Sequence, residues 1–113
     1  MTEIVSTDLM LNLSYVNREF RKVAAIKGWQ EYHNPKNLAA AVAVESGELL
    51  AEFQWLTVDE SFNLDAEKAA KVADEIADVI MYLTELAERA NINIPNAIQA
   101  KIEKNNQRFG GIE

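Results

Sequence analysis

Apolar side chains recur along this chain at the three- and four-residue spacing of helices, and no stretch shows the alternation of a strand. Over residues 9–25, Leu9, Leu13, Val16, Phe20 and Val23 form one stripe, and Gly28 stands where such a helix would stop. An aromatic connector, residues 29–33, follows. Asn34-Pro35 then reads as an N-cap followed by proline at the first helical position. The second helix runs over 35–55 and is apolar around most of its circumference, through Leu38, Ala41, Val42, Val44, Leu49, Leu50 and Phe53. Residues 56–65 mix acids, Ser, Asn and single apolar side chains and read as a loop. A third helix is predicted over 66–90, with Val72, Ile76, Val79, Ile80, Leu83 and Leu86 on its apolar side, and a fourth over 95–108, opened by Pro95 and stopped by Gly110-Gly111.

Four helices with short joints predict an all-α, antiparallel four-helix bundle, and 113 residues fit one domain over 1–113. A helix that is apolar nearly all round is normally buried. In so small a chain this predicts burial against other copies, hence a homo-oligomer, a dimer or tetramer. Composition agrees with packed helices: 49% of residues are hydrophobic, and Gly and Pro are scarce. Without cysteine there is neither a disulfide scaffold nor a thiolate metal site. The longest nearly uncharged stretch, residues 37–44, is too short to cross a bilayer, so no membrane role is expected. The first eight residues lack the basic and apolar regions of a signal peptide, and a cytoplasmic location is the expectation. A net charge of −7 argues against binding a nucleic-acid polymer, which needs a basic face. It leaves room for a free nucleotide if a divalent cation stands between the two sets of negative charge.

The acids are patterned. At about 100° per residue, Glu48 falls about −60° and Glu52 about −20° from Glu45, so the three share one face of the second helix. On the third helix Asp78 lies about −60° and Tyr82 about −20° from Glu75. Such pairs are common on solvated helix surfaces, and that is the ordinary reading of each alone. Here no Lys or Arg lies between Asn37 and Trp55, the flanking residues are apolar, and an antiparallel hairpin would bring both pairs to one place. Clustered carboxylates of this kind are costly unless a cation neutralises them. An all-carboxylate set suits magnesium, manganese or calcium. The single histidine, His33, lies outside both pairs, which argues against di-iron and zinc sites. Magnesium usually joins protein carboxylates to substrate phosphates.

Neither a P-loop nor a dinucleotide glycine motif occurs, so phosphates would be held by metal and basic side chains. From Lys101, Asn105 lies at about +40° and Arg108 at about −20°, a shared face on the fourth helix; favourable charge at a helix C-terminus explains the same bases equally well. Trp29, Tyr32, His33, Trp55 and Tyr82 are candidates to stack on a base, against the commoner fate of aromatic rings as core.

These residues, in this order, resemble the MazG-like family of all-α nucleoside triphosphate pyrophosphatases, close to its dCTP pyrophosphatase branch. The carrying text is Trp29-Gln-Glu-Tyr-His33-Asn-Pro35-Lys-Asn37, Glu45-Ser-Gly-Glu48-Leu-Leu-Ala-Glu52-Phe-Gln-Trp55, Glu75-Ile-Ala-Asp78-Val-Ile-Met-Tyr82-Leu and Lys101-Ile-Glu-Lys-Asn105-Asn-Gln-Arg108-Phe109. Each motif alone is weak; the ordered set is specific. The resemblance implies Mg²⁺-dependent cleavage between the α and β phosphates of a (deoxy)nucleoside triphosphate, dCTP-like by preference, with Mn²⁺ as a substitute ion and nucleotide-pool cleansing as the role. It implies Glu45, Glu48, Glu75 and Asp78 as metal ligands. Trp29, His33, Trp55 and Tyr82 match base and sugar contacts, and Lys101 and Asn105 match phosphate or sugar contacts, in a site shared between subunits. Two departures stand out: Phe20 occupies a position where eukaryotic dCTP enzymes tend to carry histidine, and the tail reads Phe-Gly-Gly where many relatives have Tyr-Pro.

The chemistry expected is in-line attack of water on the α phosphorus, with Glu48 or Glu52 accepting the proton and Lys101 offsetting phosphate charge. Two other readings use the same sequence: a regulatory nucleotide- or metal-binding helical module without turnover, and a structural helical oligomer with a solvated acidic stripe.

Overall fold

The computed structural model describes residues 10–110, and these form helices and their connections with no strand among them. Helix α1 spans Leu13–Lys27. Asn12 is its N-cap, its side chain accepting from the Tyr15 amide at 3.0 Å, so the helix starts later than position 9; Leu9 lies outside the described residues. Gly28 closes α1 in the left-handed region, φ 71°, where a side chain would be strained. A 3₁₀ turn, Gln30–Tyr32, leads to α2, Pro35–Phe53, capped by Asn34 on the Asn37 amide at 2.9 Å.

Helix α2 ends two residues before the expected Trp55, which lies in a turn. The segment expected to be a loop holds a short helix, α3, Val58–Phe62. Thr57 and Glu60 make a reciprocal capping box: the Glu60 amide donates to Thr57 Oγ1 at 3.1 Å, and the Thr57 amide donates to Glu60 Oε1 at 2.8 Å. Asp65 caps α4, Ala66–Arg89, and Asn93 caps α5, Ile94–Arg108, one residue before the expected start.

Helix α4 packs against both α1 and α2. Helix α2 runs antiparallel to α4: Glu52 near its end meets Lys68 in the first turn of α4, while Glu45 and Glu48 face Glu75 further along. The buried apolar side chains are Val16, Phe20 and Ala24 of α1, Leu38 of α2, and Val72 and Ala87 of α4. Helix α5 contributes none, and every residue of it except half-buried Ile94 is exposed. The packed group within one chain is therefore three helices, with the fourth long helix outside it; the four-helix bundle expectation does not describe a single copy. A radius of gyration of 16.6 Å fits this open form; a compact domain of this length would measure about 13 Å.

The all-round apolarity of α2 also ends differently from expectation. Only Leu38 is buried, whereas Val44 and Leu50 are 61% and 63% exposed. One neighbour, α4, can cover only one face of a helix. Among the described residues, no helix is long and apolar enough to cross a membrane.

Beneath this small core lies a charge the sequence pattern did not single out. Glu85 of α4 is fully buried. Its Oε1 accepts from Arg21 Nε at 2.9 Å and from Asn17 Nδ2 at 3.2 Å, and its Oε2 lies 3.6 Å from Arg89 Nε. Removing one partner of a buried pair is costly because the remaining charge stays out of water. Arg21→Met should destabilise the fold by about 3 kcal/mol, whereas Lys71→Met, which breaks an exposed pair with Glu67, should leave the melting temperature nearly unchanged. Thermal melts of the two variants beside the parent chain measure the difference.

Candidate active site

The α2–α4 hairpin brings the acidic faces together. Glu45, Glu48 and Glu75 each present one carboxylate oxygen, and these three lie within 4.8 Å of one another. Glu45 and Glu75 are half-buried and Glu48 is exposed. Asp78 is half-buried beside the cluster, with Glu48 and Asp74 acting on it, but it is not part of that tight trio. Glu45 Oε2 and Glu75 Oε2 are buried without a hydrogen-bond partner. Buried oxygens of this kind normally find a donor, and none is supplied here by a neighbouring side chain.

The electrostatics follow from that crowding. Burial pushes the Glu45 carboxyl up to about 7, helped by Glu48, Asp78 and Glu75. Burial also raises Glu75, with Glu48 and Asp78 adding to it, and raises Asp78, with Asp74 and Glu48 adding. Tyr82, one helical turn after Asp78, is raised by burial first and then by Glu45, Asp78 and Glu48. The contrast with Glu85 is direct: that carboxylate is buried among arginines, whereas the α2–α4 trio faces carboxylates. The donor set fits a hard divalent cation such as Mg²⁺ or Mn²⁺ and lacks the imidazole or thiolate that softer ions favour.

An aromatic group adjoins the acids. His33 meets Phe20, stacked at a centroid distance of 5.7 Å, and Tyr82, edge-on at 6.2 Å; Trp29 is tilted at 6.2 Å from it. Phe20 also meets Tyr82 edge-on at 5.1 Å. His33 Nδ1 is buried without a partner. Of the sequence candidates, Trp29, His33 and Tyr82 thus form one group. Trp55 is 87% exposed in the turn after α2 and makes no ring contact among the described residues, because the helix that would have carried it round to Glu48 has already ended. Tyr32 is exposed as well.

Lys101 and Asn105 share α5 with Arg108, exposed and outside the packed helices. A single chain does not join them to the acids. Glu52 was without a basic partner on its own helix, and α4 supplies one: Lys68 Nζ lies 3.1 Å from Glu52 Oε1. Sequence reasoning passed over Lys68, although it precedes Glu75 by two helical turns, about +20° from it around α4. Phe20 was noticed as a departure, but its stacking on His33 depends on the chain path through Gly28. A hollow of about 580 Å³ lies elsewhere, between α1, the end of α4 and the start of α5, and touches none of the four acids. Donor chemistry, not hollow volume, identifies the site in this open protein.

Residues 40–113 match the MazG-like family. The chain is 33% identical over 99 residues to dCTP pyrophosphatase 1 of Rattus norvegicus and to that of Homo sapiens, an overlap of 86% of this chain and 58% of each relative. It therefore spans less than two thirds of the length of these curated relatives. A crystal structure of a pyrophosphatase from Archaeoglobus fulgidus is similar with a TM-score of 0.77 and 38% identity, covering 86% of this chain and 91% of that one.

The raised carboxyls make stability depend on pH in a definite direction. Between the ordinary value of 4.5 and about 7 the folded chain holds more protons at Glu45 than the unfolded chain does, so this group's contribution is present at low pH and is lost as pH rises through about 7. Without divalent ions, the melting temperature should fall from about pH 5.5, inside that window, to about pH 8, above it. Adding Mg²⁺ should raise the value at pH 8 more than at pH 5.5, because protons and cation compete for the same oxygens. A melt series with chelator and with Mg²⁺ reads both slopes.

Proposed function

Since the chain belongs to the MazG-like family, we propose that it is a nucleoside triphosphate pyrophosphatase that takes a dCTP-like (deoxy)nucleoside triphosphate to the monophosphate and pyrophosphate with Mg²⁺. The carrying observation is the α2–α4 trio, three carboxylate oxygens within 4.8 Å, two of the three side chains having a buried oxygen without a donor, beside a ring cluster. The names of the similar proteins, dCTP pyrophosphatase and pyrophosphatase, support the reaction class. Glu45, Glu48, Glu75 and Asp78 would hold the metal. When bound, Mg²⁺ supplies charge neutralisation for the phosphates and acidifies water.

The chain's own residues then divide the work. Trp29, His33 and Tyr82 offer ring faces and edges to a base, with Trp55 an addition from its exposed turn. Glu48 or Glu52 accepts the proton of the attacking water. The new bond joins the water oxygen to the α phosphorus, and the α–β bridging oxygen leaves with its electron pair as pyrophosphate. Lys101 and Asn105 would meet the phosphates from a second copy's α5, which is why a dimer or tetramer belongs to this reading. The exposed Ile98 and Ile102 of α5 and Val44 and Leu50 of α2 support it, since apolar faces left open in one chain are what a partner covers. Phe20 gives the ring cluster a hydrocarbon wall where a histidine would give a hydrogen-bonding one, so the base preference of this chain is set by different contacts.

Purified chain with Mg²⁺ should release pyrophosphate from a panel of triphosphates, and chelation should stop it. Glu48→Gln and Asp78→Asn should each cut turnover by about 100-fold or more with helical circular dichroism unchanged. Retained turnover in either variant would remove that residue from the ligand set, and binding of nucleotide without any release would favour a regulatory module. Lys101→Ala mixed with Glu48→Gln should recover activity that neither variant has alone if sites form between copies; no recovery would assign both residues to one chain.

A further inference from the structure

The Glu52–Lys68 contact is the ion pair that joins α2 to α4 among the described residues; the other pairs join α1 to α4 or lie within one helix. Both side chains are largely shielded, at 21% and 32% exposure. Glu52 occupies the acidic face of α2 one turn beyond Glu48, and Lys68 occupies the face of α4 that carries Glu75. The pair is thus built along the edge of the carboxylate trio, and Glu52 is close enough to act on Glu75 electrostatically. Lys71, three residues on, is exposed and pairs with Glu67 on its own helix instead.

The lysine engages one oxygen only. Lys68 Nζ donates to Glu52 Oε1 at 3.1 Å, and no described side chain donates to Oε2. A carboxylate fixed by one oxygen keeps the lone pairs of the other in a set direction, which is the geometry a proton acceptor needs. Glu48 is differently employed, since its oxygen belongs to the trio and would be turned to a cation. An ordinary tie between helices accounts for the contact distance but gives no reason for the pair to sit on the acidic face.

Resting on the pyrophosphatase reading above, we infer that Glu52 is the group that accepts the proton of the attacking water and that Lys68 is its positioning residue, holding Oε1 so that Oε2 faces the reacting water. One water proton passes to Glu52 Oε2 as the water oxygen bonds to the α phosphorus and pyrophosphate departs with the bridging electron pair. Lys68 touches neither water nor phosphate; it acts through Glu52.

The test is steady-state hydrolysis of dCTP with Mg²⁺, read as pyrophosphate, for the parent chain, Glu52→Gln, Lys68→Met, Lys68→Arg and the double variant Glu52→Gln/Lys68→Met. Glu52→Gln should lower kcat by about 100-fold. Lys68→Met should lower kcat by about tenfold with KM within about twofold of the parent, and Lys68→Arg should restore kcat to within about threefold. The double variant should be no slower than Glu52→Gln alone, because the lysine has nothing left to position. Should Lys68→Met fail to melt cooperatively, Lys68→Gln carries the same expected kcat loss at unchanged KM. An unchanged kcat in the lysine variants, a rise in KM alone, or losses that multiply in the double variant would overturn the inference while leaving the pyrophosphatase reading intact. No pyrophosphate from the parent chain would overturn both.

Discussion

Carboxylates that face one another across two packed helices repel, and the repulsion grows as water is excluded. Helix α2 lies along α4 with Glu45, Glu48 and Glu75 turned toward one another and Asp78 alongside, so the principal helix contact of the protein contains its least favourable electrostatic arrangement. The hairpin is held by apolar burial, to which Leu38 of α2 and Val72 of α4 contribute, and by the salt bridge at its edge. A proton or a cation is needed to relieve the rest. Stability, ion binding and the proposed chemistry therefore act on the same few oxygens, and a change at one alters the others.

The distribution of positive charge sharpens this. Arg21 and Arg89 are spent on Glu85, at the opposite end of the Asp78–Tyr82 face of α4, and they make that carboxylate a structural one. Lys68 goes to Glu52. No basic side chain pairs with Glu45, Glu48, Glu75 or Asp78 among the described residues. Acidic groups of α2 and α4 thus have three different fates, fixed by the basic side chains that face them: paired and buried, paired at the edge, or left for an ion.

Much of this was legible in the sequence because it depended on local rules. Asn34-Pro35, Gly28 and the 3.6-residue apolar period located the helices, and the three-residue spacing of Glu45–Glu48 and Glu75–Asp78 set their faces. The short helix α3 was missed although Thr57-Val-Asp-Glu60 carries a capping-box pattern; its mixed composition masked the signal. The expected place of Trp55 at the end of the second helix failed because that helix ends at Phe53. The Lys68–Glu52 pair, the stacking of Phe20 on His33 and the burial of Glu85 all join residues distant in sequence, and helical periodicity contains no information about which helix will be opposite. The position of α5 was hidden for the same reason: its start and stop signals were visible, but nothing local states whether its own chain covers it.

That helix has a thermodynamic consequence. A lone helix of this length is marginal in water, since nucleation is costly and few residues propagate it. Helix α5 has its Asn93 cap and a proline in its first turn, yet among its residues only Ile94, at its start, is even half-buried. Ordering α5 and covering Ile98 and Ile102 are accordingly one coupled event. Lys101 and Asn105 share that backbone, so the entropy lost in fixing them is offset by the contact that covers the helix and not by the nucleotide, which would then meet side chains already held in place.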